Sequence, residues 1–214
     1  MSEAIIEKIR QFAENHFADD GSGHDWWHVH RVWNTAKHLA DAEGADRTIV
    51  EIAALLHDVA DWKLNKDESQ GLNTIRELLT GDLPPDTIDR ICDIISRVSF
   101  KGAGVDTPTE SLEGQVVQDA DRLDALGAVG IARTFAYGGN RGRLIHHPDH
   151  PPQMHDSFEA YKKNKGPSTN HFYEKLLLLK DRMNTNTAKK MAEQRHRFME
   201  QYLEHFFKEW NGEL

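Results

Sequence analysis

Apolar residues recur at helical spacing along most of this chain, and no alternating strand pattern of useful length interrupts them. Side chains three or four residues apart share one face of a helix, whereas a half-buried strand alternates apolar and polar residues. The spacing therefore predicts an all-α fold. Helices, or in one case a helix pair (111–137), are expected over these ranges: 5–17, 25–44, 46–59, 68–79, 86–98, 111–137, 168–183 and 186–210.

Several helix ends can be predicted from single residues. Asp25 and Asp86 stand just before apolar-periodic segments, where a short acceptor side chain caps the first free N–H groups. Gly44 and Gly81 follow such segments, and glycine suits the left-handed conformation that ends many helices.

Composition narrows the classes of protein this chain can belong to. Its 214 residues make one domain of ordinary size, and the net charge of −9 argues against a protein that binds the nucleic-acid backbone. No apolar run approaches the roughly 20 residues of a membrane span. The N-terminal residues 1–4 have neither a cationic nor an apolar region, so no signal peptide and a cytoplasmic location are expected. The single cysteine, Cys92, excludes an internal disulfide and is expected to be a small buried hydrophobe.

The segment 138–156 differs from the rest because glycine, proline and histidine dominate it. It is longer than most loops of compact domains, and such loops are usually functional or mobile. With Leu144, Ile145 and Met154 as its main apolar anchors, it is predicted to be a mobile substrate lid. Its predicted helix breakers are Gly138, Gly139, Gly142, Pro148, Pro151 and Pro152.

Histidine and aspartate stand together three times, and sequence context separates the three pairs. The pair His57-Asp58 ends a strongly apolar helix whose neighbours are expected to face the core. Polar groups in such a place need partners, and a cation suits a neutral imidazole beside a carboxylate. The alternative is a polar network satisfied within a helical bundle.

Two further patterns flank this pair in the sequence. Residues 24–32 read HDWWHVHRV, which places His24, His28 and Arg31 on one helical face. Residues 117–126 read VQDADRLDAL, with three aspartates in an otherwise apolar helix. Three carboxylates cannot all be buried there without partners.

The order of the three patterns resembles the HD-domain metal-dependent phosphohydrolases, and the resemblance covers at least residues 24–135. Within this family the chain most resembles small stand-alone bacterial members, which include nucleotide pyrophosphohydrolases. It implies an HD-type helical bundle with additional C-terminal helices. We expect a single domain over residues 1–214, with C-terminal helices at 157–210; a separate lobe over 138–214 stays an alternative.

By position, the resemblance implies four metal ligands brought together by the helices of one bundle, namely His28, His57, Asp58 and Asp121. Two imidazoles and two carboxylates suit Mn²⁺, Fe²⁺, Co²⁺, Ni²⁺ or Zn²⁺. Mg²⁺ is a further candidate, and Mn²⁺ is favoured for activity. Residues 59–120 contain no histidine, so the extra pair that dinuclear HD proteins insert there is missing and one metal ion is expected.

Further side chains near the proposed ligands are given roles, that of Asp61 from the resemblance and the others from their charge and sequence position. Asp61, three residues after Asp58, is expected to act as general acid or base, unless it caps a helix or pairs with Lys63. Lys63 is expected to assist catalysis and hold a substrate phosphate. Arg31 and Arg122 lie close to ligands in the sequence and are expected to bind substrate or to orient nearby aspartates.

Together these expectations describe a cytoplasmic, divalent-metal-dependent phosphohydrolase acting on a small phosphorylated metabolite, with a nucleotide favoured. The bond cleaved would be a phosphomonoester, a cyclic phosphodiester or a pyrophosphate link. One alternative is a non-catalytic HD module that binds a nucleotide and regulates a partner. Another, a di-iron oxygenase, is disfavoured by the missing histidines. Neither a nucleic acid nor a membrane is an expected partner, and the sequence leaves the oligomeric state open.

Overall fold

The structure, a computed structural model, describes residues 2–18, 25–60, 68–98, 107–154, 159 and 165–214. These residues form α-helices and one 3-10 helix, with no β-strand beyond an isolated bridge between Thr80 and Leu83. The all-α prediction is confirmed. No helix in this described part is both long and apolar enough to cross a membrane. The helices are Ser2–His16 (α1), Trp26–Glu43 (α2), Arg47–Leu56 (α3), Glu68–Leu79 (α4), Pro85–Val98 (α5), Leu112–Asp124 (α6), Gly127–Asn140 (α7), Asn170–Glu174 (α8), Leu176–Arg182 (3-10 helix) and Asn186–Trp210 (α9).

The described residues divide into two compact units, the first ending at residue 121 and the second beginning at residue 122. Helix α3 is the centre of the first unit, where it packs against α1, α2 and α5, and α4 packs against α5. An exposed helix buries one stripe, but α3 buries seven of its ten residues. The chain that leaves α3 therefore starts from the core of this unit.

Local signals set the ends of α2 and α3. The Asp25 carboxylate accepts the N–H of His28 at 2.9 Å, and Gly44 ends α2 with φ 76°. Asp46 caps α3 by accepting from the N–H groups of Thr48 and Ile49. The Asp25 cap and the Gly44 end confirm the sequence prediction, whereas the Asp46 cap was not predicted.

The start of α5 differs from the prediction by two positions, because Pro84 and not Asp86 precedes the first helical residue. The helix begins at Pro85, so Asp86 lies inside its first turn instead of capping it. The Pro84 carbonyl accepts from the N–H groups of Thr87 and Ile88 at 3.0 and 3.1 Å. Proline suits the first helical position because its missing N–H would have no partner there. The predicted inward face is confirmed, including Cys92, which is 3% exposed.

The single helix predicted over 168–183 is wrong in detail. The structure has α8, then a break at Lys175 (φ −143°), then the 3-10 helix. The predicted inward side chains are nevertheless buried, and the spacing of three residues between Leu176 and Leu179 fits one face of either helix type. They are Phe172, Leu176, Leu179 and Met183. In this second unit α9 packs against α7 and the 3-10 helix.

The segment after α7 has more structure than the lid prediction assumed. Helix α7 continues through Gly138 and Gly139, which were predicted to be helix breakers. A Cβ atom on Gly138 would lie 2.0 Å from the Ser168 Oγ atom. Gly138 therefore permits close packing of α7 on the 168–170 segment and does not end the helix.

Backbone hydrogen bonds anchor residues 141–154 within the second unit. The carbonyls of Leu144 and Ile145 accept from the N–H groups of Ser168 and Thr169 at 2.8 and 3.0 Å. The apolar anchors assumed for the lid are not anchors, because Leu144, Ile145 and Met154 are each more than half exposed. Further bonds join Asn170 Nδ2 to the His150 carbonyl, the Gln153 N–H to Glu174, and His146 Nδ1 to Thr169 Oγ1.

Candidate metal centre

Two helices of the first unit bring histidines to the same place. His28 is the third residue of α2, and its backbone N–H is held by the Asp25 cap. His57 follows Leu56, the last residue of α3, and so leaves the core-facing end of a buried helix. The Nε2 atoms of His28 and His57 lie 3.3 Å apart, although 29 residues separate them in the sequence.

Two carboxylates meet the same pair of imidazoles. The Asp58 oxygens lie 3.3 Å from His28 Nε2 and 3.4 Å from His57 Nε2. Asp121 Oδ1, from α6, lies 3.5 Å and 3.8 Å from the same two atoms. The structure thus brings together all four residues that the sequence resemblance implied as ligands.

A hydrogen bond fixes the tautomer of His57. Its Nδ1 lies 2.8 Å from the Ala54 carbonyl, which can only accept, so Nδ1 carries the hydrogen. In the neutral ring Nε2 then presents a lone pair to the cluster. A backbone carbonyl bonded to the far nitrogen is a common way of orienting metal-binding histidines. The Ala54 carbonyl was missed from the sequence, although a histidine ending a helix often bonds a carbonyl of the last turn.

The donor set and its spacing fit a cation. Lone pairs and carboxylate oxygens this close are favourable only when a cation or shared protons lie among them. Metal–ligand distances of about 2.0–2.2 Å place neighbouring ligand atoms roughly 3 Å or slightly more apart. Among the described residues, one group of three buried metal-binding side chains is found, and it consists of His28, His57 and Asp58.

Burial gives the cluster a closed side and an open side. His28 is 0% exposed, and His57 and Asp58 are each 3% exposed. The Asp121 side chain is 26% exposed, so it forms the solvent-facing part of the cluster.

The Asp25 cap offers a direct test of how α2 holds His28. Replacing Asp25 by alanine should lower the free energy of unfolding by about 1 kcal/mol, because the His28 N–H at the helix start loses its side-chain acceptor. Urea denaturation followed by circular dichroism measures this change. Asp25→Ser, which keeps an acceptor, should recover most of the loss, and an equal loss in both variants would contradict the capping role.

The roles predicted for the remaining site residues are not tested by their positions in the structure. Asp61 and Lys63 lie outside the described residues, so their assigned roles stay predictions. Arg31 lies one turn after His28 on α2 and is partly buried. Arg122 is 7% exposed, and its guanidinium donates to the Arg182 carbonyl. Substrate binding by these two arginines also stays a prediction.

Comparisons with known proteins identify the family of this chain. The HD domain model matches residues 26–126. The protein YpgQ of Bacillus subtilis is 40% identical over 208 residues, which span 96% of this chain and 94% of YpgQ. The chain belongs to the HD-domain family. The resemblance stated from the three sequence motifs is thereby confirmed.

Solved structures extend the likeness over nearly the whole chain. A protein of Lactobacillus plantarum superposes with a TM-score of 0.87 at 39% identity, covering 98% of both chains. An HD-superfamily hydrolase of Bacillus thuringiensis gives a TM-score of 0.77 at 46% identity, covering 99% of both. YpgQ in complex with ADP gives 0.76 at 37% identity, covering 95% of this chain and 97% of YpgQ. The likeness includes the C-terminal helices as well as the HD motifs.

Proposed function

We propose that this HD-domain protein is a cytoplasmic, divalent-metal-dependent phosphohydrolase whose substrate is a nucleotide. The observation that carries the proposal is the pair of imidazole nitrogens 3.3 Å apart, with oxygens of two carboxylates 3.3–3.8 Å from those nitrogens. The relative crystallised with ADP supports a nucleotide, because an ADP site and a phosphohydrolase site need the same complementarity to phosphate.

The residues that would hold the metal are His28, His57, Asp58 and Asp121. A divalent ion bound by them would lower the pKa of a coordinated water and offset negative charge on phosphate oxygens. The Ala54 carbonyl keeps the His57 lone pair directed at the cluster. Mn²⁺ is the proposed ion for activity, because carboxylate oxygens such as those of Asp58 and Asp121 suit it.

Hydrolysis adds water across a phosphorus–oxygen bond, which requires a proton to leave the water and another to reach the departing oxygen. Asp61, close to Asp58 in the sequence, is the proposed carrier of these protons. Lys63, Arg31 and Arg122 are the proposed cations for the phosphate groups. A pyrophosphate link or a phosphate ester is the proposed bond cleaved.

The proposal is tested on protein purified without chelator. Elemental analysis should find close to one divalent ion per chain, and a panel of nucleoside mono-, di- and triphosphates with Mn²⁺ should give phosphate or pyrophosphate release. Adding EDTA should abolish release, and adding Mn²⁺ back should restore it.

Two outcomes would contradict the proposal in different ways. Nucleotide binding without any hydrolysis across the panel would favour the non-catalytic binding module. Undiminished hydrolysis after metal removal would show that the cluster does not act through a metal. Asp58→Asn is the matched negative control, because it keeps the shape of the side chain and removes its charge.

A further inference from the structure

The C-terminal end of α6 carries an unusual charge for its position. Residues 119–124 read DADRLD, so three aspartates occupy the last turns of this helix. The C-terminal end of a helix has a partial negative charge and free carbonyls, which favour cations and disfavour carboxylates. Such an end needs positive groups if its last turn is to stay helical.

Two arginines from the second unit supply that charge. Arg133, on α7, donates to the Asp124 carboxylate at 2.8 Å, and the two side chains are only 20% and 6% exposed. Arg195, on α9, donates from Nη1 to the Leu123 carbonyl at 2.5 Å. Burial lowers the pKa of the Arg195 guanidinium, and the nearby Asp124 carboxylate opposes that shift.

The packing around Arg195 is close. Gly127, which starts α7 at φ 71°, would place a Cβ atom 3.1 Å from the Arg195 Cγ atom. A side chain at position 127 would therefore push the Arg195 stem away from the helix end. The Leu123 carbonyl also accepts the N–H of Leu126 at 3.0 Å. The Arg195 guanidinium and the turn after α6 therefore share one hydrogen-bond acceptor.

We infer that Arg133 and Arg195 are positioning residues that hold the last turn of α6, and with it the Asp121 carboxylate, in the conformation that meets the two histidines. Asp121 lies one turn before Asp124 on the same helix, so fraying of this end would change the direction of the Asp121 side chain. Both arginines lie beyond residues 26–126, which the HD model matches.

This inference rests on the proposed metal site and is tested by metal affinity. Arg195→Ala and Arg133→Ala should each weaken Mn²⁺ binding by roughly 10-fold in isothermal titration calorimetry, as loss of a group that orients a ligand does elsewhere. Arg195→Lys keeps the charge and most of the stem and should recover much of the affinity. Arg197→Ala is the matched control, because Arg197 lies on the same helix, is 69% exposed and pairs with Glu193.

The outcomes separate the inference from the proposed function. Mn²⁺ affinities of the alanine variants within twofold of wild type, or an equal loss in Arg197→Ala, would overturn the inference. If the wild-type protein binds no metal, the proposed function fails. Hydrogen exchange at amides 121–126 then decides the inference, because it should be faster in Arg195→Ala than in wild type, and equal exchange would overturn it. Arg133→Ala replaces Arg195→Ala in this measurement if the latter does not fold.

Discussion

Replacing His57 by alanine should remove the bound metal and reduce metal-dependent hydrolysis to background. Its Nε2 atom lies 3.3 Å from His28 Nε2 and 3.4 Å from Asp58 Oδ1, so its loss opens the buried side of the cluster. Removing a ligand should cost more than the 10- to 100-fold that loss of an orienting group typically costs, so we expect a drop in affinity above about 100-fold. Asp58→Ala should behave in the same way.

Elemental analysis of protein purified without chelator measures this effect, with circular dichroism to confirm that each variant is folded. His38→Ala is the matched control, because His38 is exposed and lies on the same helix as His28. His24 and His155 each precede an aspartate in the sequence, yet alanine at either position should leave the metal content unchanged. Equal metal content in wild type, His57→Ala and Asp58→Ala would exclude the proposed ligand set.

The helix ends show which parts of this fold a sequence can predict. Asp25, Gly44 and Asp46 act through atoms within three or four residues, so the local pattern holds all the necessary information. The start of α5 was misplaced because an aspartate and a proline next to each other both suit a helix start, and the proline took the first helical position. The 3-10 helix was missed because its apolar spacing of three residues is shared with an α-helix.

The candidate metal centre was predicted by a different route. No spacing rule places residues 28, 57 and 121 within 4 Å of one another, because they lie on three elements far apart in the chain. The order of the three sequence motifs predicted that these residues meet, because it resembles that of a family in which those elements converge. The orienting Ala54 carbonyl and the arginines beyond residue 126 belong to no motif, so they became visible only in the folded chain.

Glycine is the residue whose role the sequence conveys least. The sequence alone does not distinguish Gly138 from Gly44, yet Gly44 ends a helix at φ 76° whereas Gly138 lies inside a helix. The difference is a tertiary contact, since a Cβ atom on Gly138 would meet Ser168. A glycine needed for close approach cannot be told from a helix breaker until its neighbour is known.

Gly71 makes the same kind of contact next to the metal centre. It lies within α4, and a Cβ atom there would be 2.5 Å from the Ala60 Cα atom and 2.8 Å from the Val59 carbonyl oxygen. Both are backbone atoms, so no side-chain rotation relieves the overlap. Val59 and Ala60 are buried and directly follow Asp58, so the strain falls on the chain that positions two of the proposed ligands.

Gly71→Ala should therefore lower both the free energy of unfolding and the affinity for metal. We expect a loss of about 2–3 kcal/mol, because overpacking a buried contact usually costs 1–3 kcal/mol and here the backbone must move. Alanine is the better helix former by about 1 kcal/mol, so a net loss isolates the steric effect. Gly139→Ala is the matched control: this helical glycine has open space around its Cβ position, and the variant should be neutral or slightly more stable. Urea denaturation and Mn²⁺ titration measure the two effects. If Gly71→Ala were as stable as Gly139→Ala, the close contact between α4 and the chain after Asp58 would not constrain the metal centre.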